Sequence, residues 1–421
     1  MQEFQSEMIS ISDLRSGMFI ELEMGWMGHP FPTNSFKISS ERQIDTLRGL
    51  GLKQVRHIPG KSDAPEELLP AKVVPAEPLV DATKRQRQKN TEQLEAQRRS
   101  LVFCERRFGE AARQYKQIMA QVESQPDLAK VQSQALITDY VGELSQLGET
   151  VIRLLSQGSS ERASVHSVNV TVLSLLLGRA MGLSQTELQD LGMAAFLHDV
   201  GKQLIPERVR LFNTGFSIPE IHLYQEHVKH SVELGQRMGL SAAVLQSIAN
   251  HHEMVDGSGF PKRALGTALS RPAKILALVN RYENLCNPRN PASSLTPHEA
   301  LALIFAQLKS RYDGVVMSAF IRMMGVYPPG SLIQLLDDRF GMVMTVNSSR
   351  PLKPRILLHD AKVPMHEALI VDLENAPELG IRRSMKPAEV PVESIDYLMP
   401  RQRICYFFER EKMAQTSNAA A

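Results

Sequence analysis

The order and spacing of the histidines constrain this chain more than any other sequence feature. Seven of its twelve histidines lie between positions 166 and 252, within sequence whose pattern is helical throughout. With one aspartate they form the ordered set His166, His198-Asp199, His227 and His251-His252. Imidazole and carboxylate ligands suit divalent iron, manganese, zinc and nickel, and no cysteine accompanies them. The sequence therefore predicts a helical domain built around a catalytic metal centre with open coordination positions.

The adjacent pair His198-Asp199 suggests how two metals would be held. On a helix, neighbouring residues point about 100° apart, so His198 can serve one metal while the two oxygens of Asp199 bridge both. Two metals about 3.5–4 Å apart are the usual device for phosphodiester cleavage, since they activate a water as hydroxide and offset the phosphate charge. Lys202 lies near the same face and is either a phosphate contact or an ordinary exposed lysine. His222 and His230 are expected to be bystanders.

A second feature is the segment Asp256-Gly257-Ser258-Gly259-Phe260-Pro261. Two glycines and a proline within six residues favour a tight, irregular loop. Because the loop follows His251-His252 directly, we expect it beside the metals. Without those neighbours, an ordinary helix-ending loop would be a reasonable interpretation.

Composition excludes several classes of partner. The chain has 48 Lys and Arg against 46 Asp and Glu, so no global basic field favours DNA or RNA. Its three cysteines are far apart and suggest no disulfide framework. The N-terminus is polar and acidic, unlike a secretory signal, and the most apolar helical stretch, 170–183, is too short for a membrane span. We expect a cytoplasmic protein.

Changes in composition along the chain predict six segments. These are a small α+β N-terminal domain at 1–60, a proline-rich linker at 61–81, long helices at 82–157, a helical metal-binding domain at 158–325, a small β-rich C-terminal appendage at 326–412 and a disordered tail at 413–421. The long helices are expected to break near Pro126. The charge-dense stretch 84–99 is either a solvated helix face or a docking or dimerising helix, so a homodimer is possible.

These residues resemble a known family. His198-Asp199-Val200-Gly201-Lys202, followed by His251-His252-Glu253 and the 256–261 loop, is similar to the HD-GYP subgroup of the HD-domain metal-dependent phosphohydrolases. Residues 8–60 resemble a small domain of unknown function that precedes some bacterial HD-GYP domains. The resemblance implies an all-helical HD core, two or three metals that are often iron or manganese, and hydrolysis of the bacterial second messenger cyclic di-GMP to pGpG and often to GMP.

The resemblance also implies residue roles. One metal would take His166, His198 and Asp199, together with the residue at position 280, and the other would take Asp199, His227, His251 and His252. Asp199 and Lys202 would be catalytic, and Lys202 would contact a phosphate. Lys274 falls where the family places another basic residue near the substrate. From the loop, Asp256, Gly259, Phe260 and Pro261 are expected on the substrate side.

Three positions depart from the family pattern. Phe260 replaces the signature tyrosine and loses its hydroxyl. Asn280 stands where related proteins often have a metal-ligand aspartate, and its neutral carbonyl oxygen is a weaker ligand. Arg162 stands where members with a third metal carry glutamate, so we expect two metals and not three.

Three functions follow as alternatives. The first is an active cyclic di-GMP phosphodiesterase that lowers the messenger level. The second is a degenerate protein that binds cyclic di-GMP or a signalling partner without turnover, which Asn280 favours. The third is a phosphohydrolase of the wider HD superfamily acting on nucleotides or another cyclic dinucleotide, against which the 256–261 loop argues.

Overall fold

The computed structural model of the chain describes residues 6–22, 34–50, 52–63, 79–146, 148–155, 161–212, 215–347, 350, 352–376, 378–398 and 403–410. The predicted tail at 413–421 and most of the predicted linker lie outside these residues. Contacts divide the chain into two units, Met1–Ala82 and Thr83–Ala421, which are described separately.

The first unit is a small α+β domain. Its described residues form one α-helix and four strands, which are α1 (Glu41–Gly49), β1 (Glu7–Ser10), β2 (Phe19–Glu21), β3 (Ser35–Lys37) and β4 (Gln54–His57). The strands form an antiparallel sheet in the order β1-β4-β2-β3. Ile44 and Leu47 are three residues apart on α1, so both point to one side, where they pack with Ile20 and Val55. The predicted α+β character of this region is confirmed.

The second unit is mainly helical. Its helices are α2 (Leu79–Gln121), α3 (Pro126–Gln146), α4 (Arg162–Ala180), α5 (Gln185–Leu197), α6 (Ile218–Arg237), α7 (Ala242–Ala249), α8 (Arg271–Cys286), α9 (Pro297–Gln307), α10 (Gly314–Met324) and α11 (Val392–Leu398). The break at Pro126 occurs as expected, because proline suits the first turn of a helix. Residues 150–154, expected within the long helices, instead form a strand rich in β-branched residues.

Helix α4 forms the centre of this unit. Its residues 164–178 are all buried, and it packs against α5, α8 and α10. Burial on every side explains why apolar residues occur all round the helix, and the polar residues among 164–178 are small or, like His166 and Asn169, hydrogen-bonded. Within the described ranges, no helix combines the length and apolarity needed to cross a bilayer.

The remaining strands form a second sheet. They are β5 (Thr150–Leu154), β6 (Leu332–Leu335), β7 (Phe340–Asn347), β8 (Arg355–Leu358), β9 (Ile370–Asp372), β10 (Ile381–Met385) and β11 (Tyr406–Arg410). The order is β10-β6-β7-β5-β11, with β8 pairing β7 and β9. Because β5 lies between β7 and β11, the β-rich C-terminal region shares its sheet with a segment from before α4. Tyr406, Phe407 and Phe408 join the same hydrophobic core as α4.

The close approach of the turn after Asp199 to α6 makes a testable prediction. A Cβ atom added to Gly201 would lie 2.3 Å from both the His227 oxygen and the Ser231 nitrogen, which are backbone atoms and cannot give way. We expect Gly201→Ala to lower the free energy of unfolding by roughly 1–3 kcal/mol or more.

Gly142 provides the matched control. It lies inside α3 with no atom within 4 Å of an added Cβ, so Gly142→Ala should raise the free energy of unfolding by up to about 1 kcal/mol. Urea denaturation followed by far-ultraviolet circular dichroism measures both variants. Equal stability of the two variants would contradict this packing argument.

Candidate metal centre and its cavity

Four helices bring the predicted ligands to one place. His166 lies on α4, His227 lies on α6, the pair His198-Asp199 directly follows α5, and the pair His251-His252 follows α7 by one residue. All are buried or nearly so. The Asp199 carboxylate lies between the imidazoles, so the ordered set in the sequence becomes one cluster in space.

The two oxygens of Asp199 face different histidines. Oδ2 lies 3.4 Å from Nε2 of His166 and 3.4 Å from Nε2 of His198. Oδ1 lies 3.4 Å from Nε2 of His227 and 3.7 Å from Nε2 of His251. Ligand bonds of roughly 2.0–2.2 Å to a common metal place donor atoms at about these separations.

Two groups of side chains therefore share Asp199. One consists of His166, His198 and Asp199, and the other consists of Asp199, His227, His251 and His252. Within each group, the ligand atoms all lie within 4.8 Å of one another. The structure thus brings together, as two sets, the histidine and aspartate side chains that the family resemblance assigned to two metals. Asn280 lies in the lining of the adjacent cavity, together with His251 and His252.

Backbone contacts fix the tautomers of three histidines. Nδ1 of His198 donates to the Ala195 carbonyl oxygen at 2.7 Å, and Nδ1 of His251 donates to the Ile248 oxygen at 2.6 Å. His227 donates in the same way to the oxygen of Tyr224. Because a carbonyl oxygen only accepts, Nδ1 carries the proton and the Nε2 lone pair points towards Asp199, as metal ligation requires.

Electrostatics keep most of these imidazoles neutral. Burial lowers the pKa of His198 to about 4 and places the pKa values of His227 and His252 well below their ordinary value. Burial alone would raise the pKa of Asp199, but the adjacent Lys202 ammonium and the contacts with His198 and His166 together outweigh it and hold that pKa well below its usual range. The three histidines with lowered pKa values therefore present neutral nitrogens beside an ionised carboxylate.

Two buried atoms of the cluster have no hydrogen-bond partner among the described residues. They are Asp199 Oδ1 and His252 Nε2, which belong to the same group of four side chains. Leaving an ionised carboxylate oxygen buried and unpaired is costly, and a bound cation would remove that cost. The donor set of imidazole nitrogens around a shared carboxylate therefore fits divalent transition metals.

A carboxylate that the sequence analysis missed orients His166. Glu283 on α8 is fully buried and accepts a hydrogen bond from Nδ1 of His166. Asn169 and Asn287 each donate to Oε1 of Glu283, at 3.2 Å and 2.8 Å. Burial opposes protonation of His166, but Glu283 outweighs it and raises the pKa of His166. In turn, the contact with His166 lowers the pKa of Glu283 to about 2, although burial alone would raise it.

The C-terminal strand supports this arrangement. Asn169 and Asn287 both donate to the Ile404 carbonyl oxygen at 2.8 Å. Asn287 accepts from the backbone nitrogen of Ile404 and Asn169 accepts from that of Tyr406, each at 2.9 Å. Each amide thus joins the segment at β11 to Glu283. A chain of hydrogen bonds runs from the C-terminal sheet to a candidate metal ligand.

The predicted loop lies beside the cluster. The Phe260 ring stacks on the His252 ring, with centroids 4.4 Å apart. A Cβ on Gly259 would lie 2.4 Å from the Met254 nitrogen, so only glycine permits this close approach. Buried Glu253 accepts from two backbone nitrogens, those of residues 262 and 264, and closes the loop. The loop therefore orients His252 through Phe260.

A cavity of about 660 Å³ opens beside these side chains. Its lining includes His251, His252, Gly259, Phe260 and Asn280, and apolar residues such as Phe212. Five basic side chains also line it, namely Arg162, Lys202, Arg281, Arg289 and Arg311. No aspartate or glutamate occurs among the described residues of the lining. Its size is typical of small-molecule sites, and its charge favours an anion.

The remaining predicted residues occupy varied places. Nζ of Lys202 lies 2.5 Å from Asp199 Oδ2 and 5.4 Å from the Tyr224 ring centroid. Lys274 forms an ion pair with Asp313 at 3.0 Å. The exposed Asp256 accepts hydrogen bonds from Ser258. Asp256, Pro261 and Lys274 are not among the described residues of the cavity lining.

Comparisons with known proteins match two regions of the chain. A family model described as "HD domain" matches residues 137–316, and one described as "Domain of unknown function (DUF3391)" matches residues 6–131. The chain is 28% identical over 408 residues to "Cyclic di-GMP phosphodiesterase PA4108" of Pseudomonas aeruginosa, which covers 90% of this chain and 92% of that protein.

Two shorter matches involve other bacterial proteins. "Cyclic di-GMP phosphodiesterase response regulator RpfG" of Xanthomonas campestris pv. campestris is 31% identical, over 35% of this chain and 39% of that protein. "3'3'-cGAMP-specific phosphodiesterase 1" of Vibrio cholerae is 25% identical, over 45% of this chain and 43% of that protein. The chain thus spans less than half the length of these two relatives.

The contact between Glu283 and His166 makes a prediction. Glu283→Gln keeps the shape of the side chain and removes the charge that supports His166, so we expect the affinity for Mn²⁺ to fall about 10–100-fold. Titration of metal-free protein with Mn²⁺ measures the affinity. The control is Glu226→Gln, which changes an exposed glutamate on α6. Equal affinities of the two variants would show that Glu283 does not support the site.

Proposed function

Because the chain belongs to the HD-GYP family of HD-domain phosphohydrolases, we propose that it is an enzyme that hydrolyses the phosphodiester bonds of cyclic di-GMP. Both family matches confirm the predicted family, and the relative that matches along nearly the whole chain is named for this activity. The observation that carries the proposal is the buried Asp199 carboxylate shared by two sets of histidines. The products would be pGpG, GMP or both.

We assign two divalent metals, iron or manganese, to the two sets. The first would be held by His166, His198 and Asp199, and the second by Asp199, His227, His251 and His252. When bound, such metals supply an activated water and neutralise charge on the phosphate. The fixed tautomers and the partnerless Asp199 Oδ1 support this assignment.

The protein side chains would bind and orient the substrate. Burial works against the charge of Lys202, but the adjacent Asp199 outweighs it and raises the pKa of Lys202, so the ammonium remains charged. It lines the cavity and is placed to contact a phosphate oxygen. Asp199 would orient Lys202 as well as hold the metals. Phe260 would act through His252, on which its ring stacks.

The cavity suits a cyclic dinucleotide. Such a ligand carries two phosphates, and five basic side chains line the cavity without an acidic residue among the described lining. Its apolar part can accept the faces of nucleobases. The near-complete ligand set favours catalysis over binding without turnover, since a binding protein has no need of two sets of metal-ready histidines.

Asp199→Asn tests the proposed activity. Because the amide oxygen is a poor bridge, we expect the rate of cyclic di-GMP hydrolysis to fall by at least roughly 10³-fold, equivalent to about 4 kcal/mol. Chromatography of the products, using protein purified without oxygen and supplied with Fe²⁺ or Mn²⁺, measures the rate. Glu226→Gln should match the unmodified chain.

The unmodified chain gives the decisive outcomes of this assay. No turnover of cyclic di-GMP with both metals present would reject the enzyme proposal and leave the binding alternative. Faster turnover of 3'3'-cGAMP than of cyclic di-GMP would change the assigned substrate.

Metal removal gives a prediction that does not depend on activity. A cation that binds only the folded chain stabilises it by RT ln(1 + [M]/Kd), or about 2.7 kcal/mol at a hundred times Kd. We expect Mn²⁺ added to chelator-treated protein to raise the melting temperature by several degrees. The same addition should have little effect on Asp199→Asn. An equal shift in both proteins would place the stabilising cation elsewhere.

A further inference from the structure

A line of polar side chains on α8 faces α4 beside the metal cluster. Asn280, Glu283 and Asn284 are spaced at i, i+3 and i+4, so they lie on one face of the helix, and Asn287, the residue that caps its C-terminus, continues this line. Glu283 and Asn287 are used in holding His166 and β11. The other two residues, Asn280 and Asn284, make a separate set of contacts.

Those contacts form a directed chain that begins at Arg162. Nη2 of Arg162 donates to Oδ1 of Asn284 at 3.1 Å, and its Nε donates to the Asn287 carbonyl oxygen at 2.9 Å. Nδ2 of Asn284 then donates to Oδ1 of Asn280 at 2.7 Å. A guanidinium has donors only, so Arg162 must meet the oxygen of Asn284. That contact turns the Asn284 amide nitrogen towards Asn280.

The chain of contacts fixes what Asn280 offers to the cavity. Its Oδ1 is engaged by Asn284, and its Nδ2 has no hydrogen-bond partner among the described residues. The same holds for Nη1 of Arg162. Both residues line the cavity that contains Lys202 and His252. Asn280 thus presents a donor, and Arg162 presents a donor with a full positive charge.

We infer that Arg162 and Asn280 bind a phosphate oxygen of the substrate, with Asn284 as the positioning residue, and that Asn280 is not a metal ligand in this chain. The inference rests on the proposed function for the identity of the substrate. Donors on a guanidinium and an amide suit a phosphate oxygen, whereas a metal requires a lone pair directed at it. Oδ1 of Asn280, the side-chain atom that could ligate, already accepts from Asn284 and keeps one lone pair, whereas Nδ2 is a donor without a partner among the described residues.

Position 280 allows the two roles to be separated by substitution. Asn280→Ala removes the donor, and Asn280→Asp replaces it with a charged acceptor. Arg162→Gln removes the cation that begins the chain. Arg322→Gln is the matched control, because Arg322 is exposed on α10 and is not among the described residues that line the cavity.

Three measurements on the full-length chain are needed. Elemental analysis after loading with Mn²⁺ gives the metal content. Steady-state hydrolysis of cyclic di-GMP gives kcat and KM. Calorimetric titration of metal-free protein with cyclic di-GMP gives a dissociation constant without turnover.

For Asn280→Ala and Arg162→Gln, we expect the metal content to equal that of the unmodified chain. The dissociation constant should rise about tenfold or more for Arg162→Gln, and severalfold for Asn280→Ala, with KM following. Asn280→Asp should also raise KM, because a carboxylate beside a phosphate oxygen repels it. Arg322→Gln should change none of these quantities.

Different results would overturn the inference. Loss of about one metal per chain in Asn280→Ala would make Asn280 a ligand. Higher activity with unchanged or lower KM in Asn280→Asp would show that the site needs a ligand carboxylate there. An unchanged dissociation constant in Arg162→Gln would remove the phosphate contact. If the unmodified chain neither binds nor hydrolyses cyclic di-GMP, the proposed function fails instead, which distinguishes the two failures.

Discussion

The second unit depends on one buried carboxylate. Asp199 is almost inaccessible to solvent, remains ionised and has an oxygen without a hydrogen-bond partner among the described residues. An isolated buried charge costs many kilocalories per mole, so the fold has to supply cations around it. Lys202 is one such cation, and the converging imidazoles form two groups of side chains that could hold divalent metals. The histidines that surround the carboxylate lie on α4 and α6 and just after the ends of α5 and α7.

Support for the centre extends far beyond its ligands. Glu283 holds His166, two asparagines hold Glu283, and the backbone at Ile404 holds both asparagines. A buried polar network of this kind specifies one arrangement, because any partner out of place leaves an unsatisfied group in a low-dielectric setting. The C-terminal sheet is therefore joined to the candidate metal centre through hydrogen bonds as well as through the core. This explains why a strand that follows the HD-domain match by ninety residues is packed against α4.

The features that could be predicted from the sequence are those that depend on local residue patterns and on the chemical type of the side chains. The helical metal domain, the break at Pro126 and the grouping of five histidines with Asp199 all follow from spacing and residue type. Strand β5 was missed because its partners, β7 and β11, lie about two hundred residues or more away. Glu283 was missed for the same reason, since its contact with His166 spans 117 positions. The regular spacing of polar residues on α8 is visible in the sequence. Only the packing of α8 on α4 shows that these residues contact His166.

Two departures from the family pattern, Arg162 and Asn280, can be explained together from their contacts. Glutamate at position 162 with aspartate at position 280 would place two negative charges at this edge of the cavity, which favours a cation. Arginine and asparagine place one positive charge and a neutral amide there, linked through Asn284. A change of this size in a partly enclosed cavity alters which ion is stabilised, because electrostatic energies there are several times larger than in water. Under the proposed function, Arg162 and Asn280 therefore act in the same direction, since both favour an anionic substrate group over an additional metal.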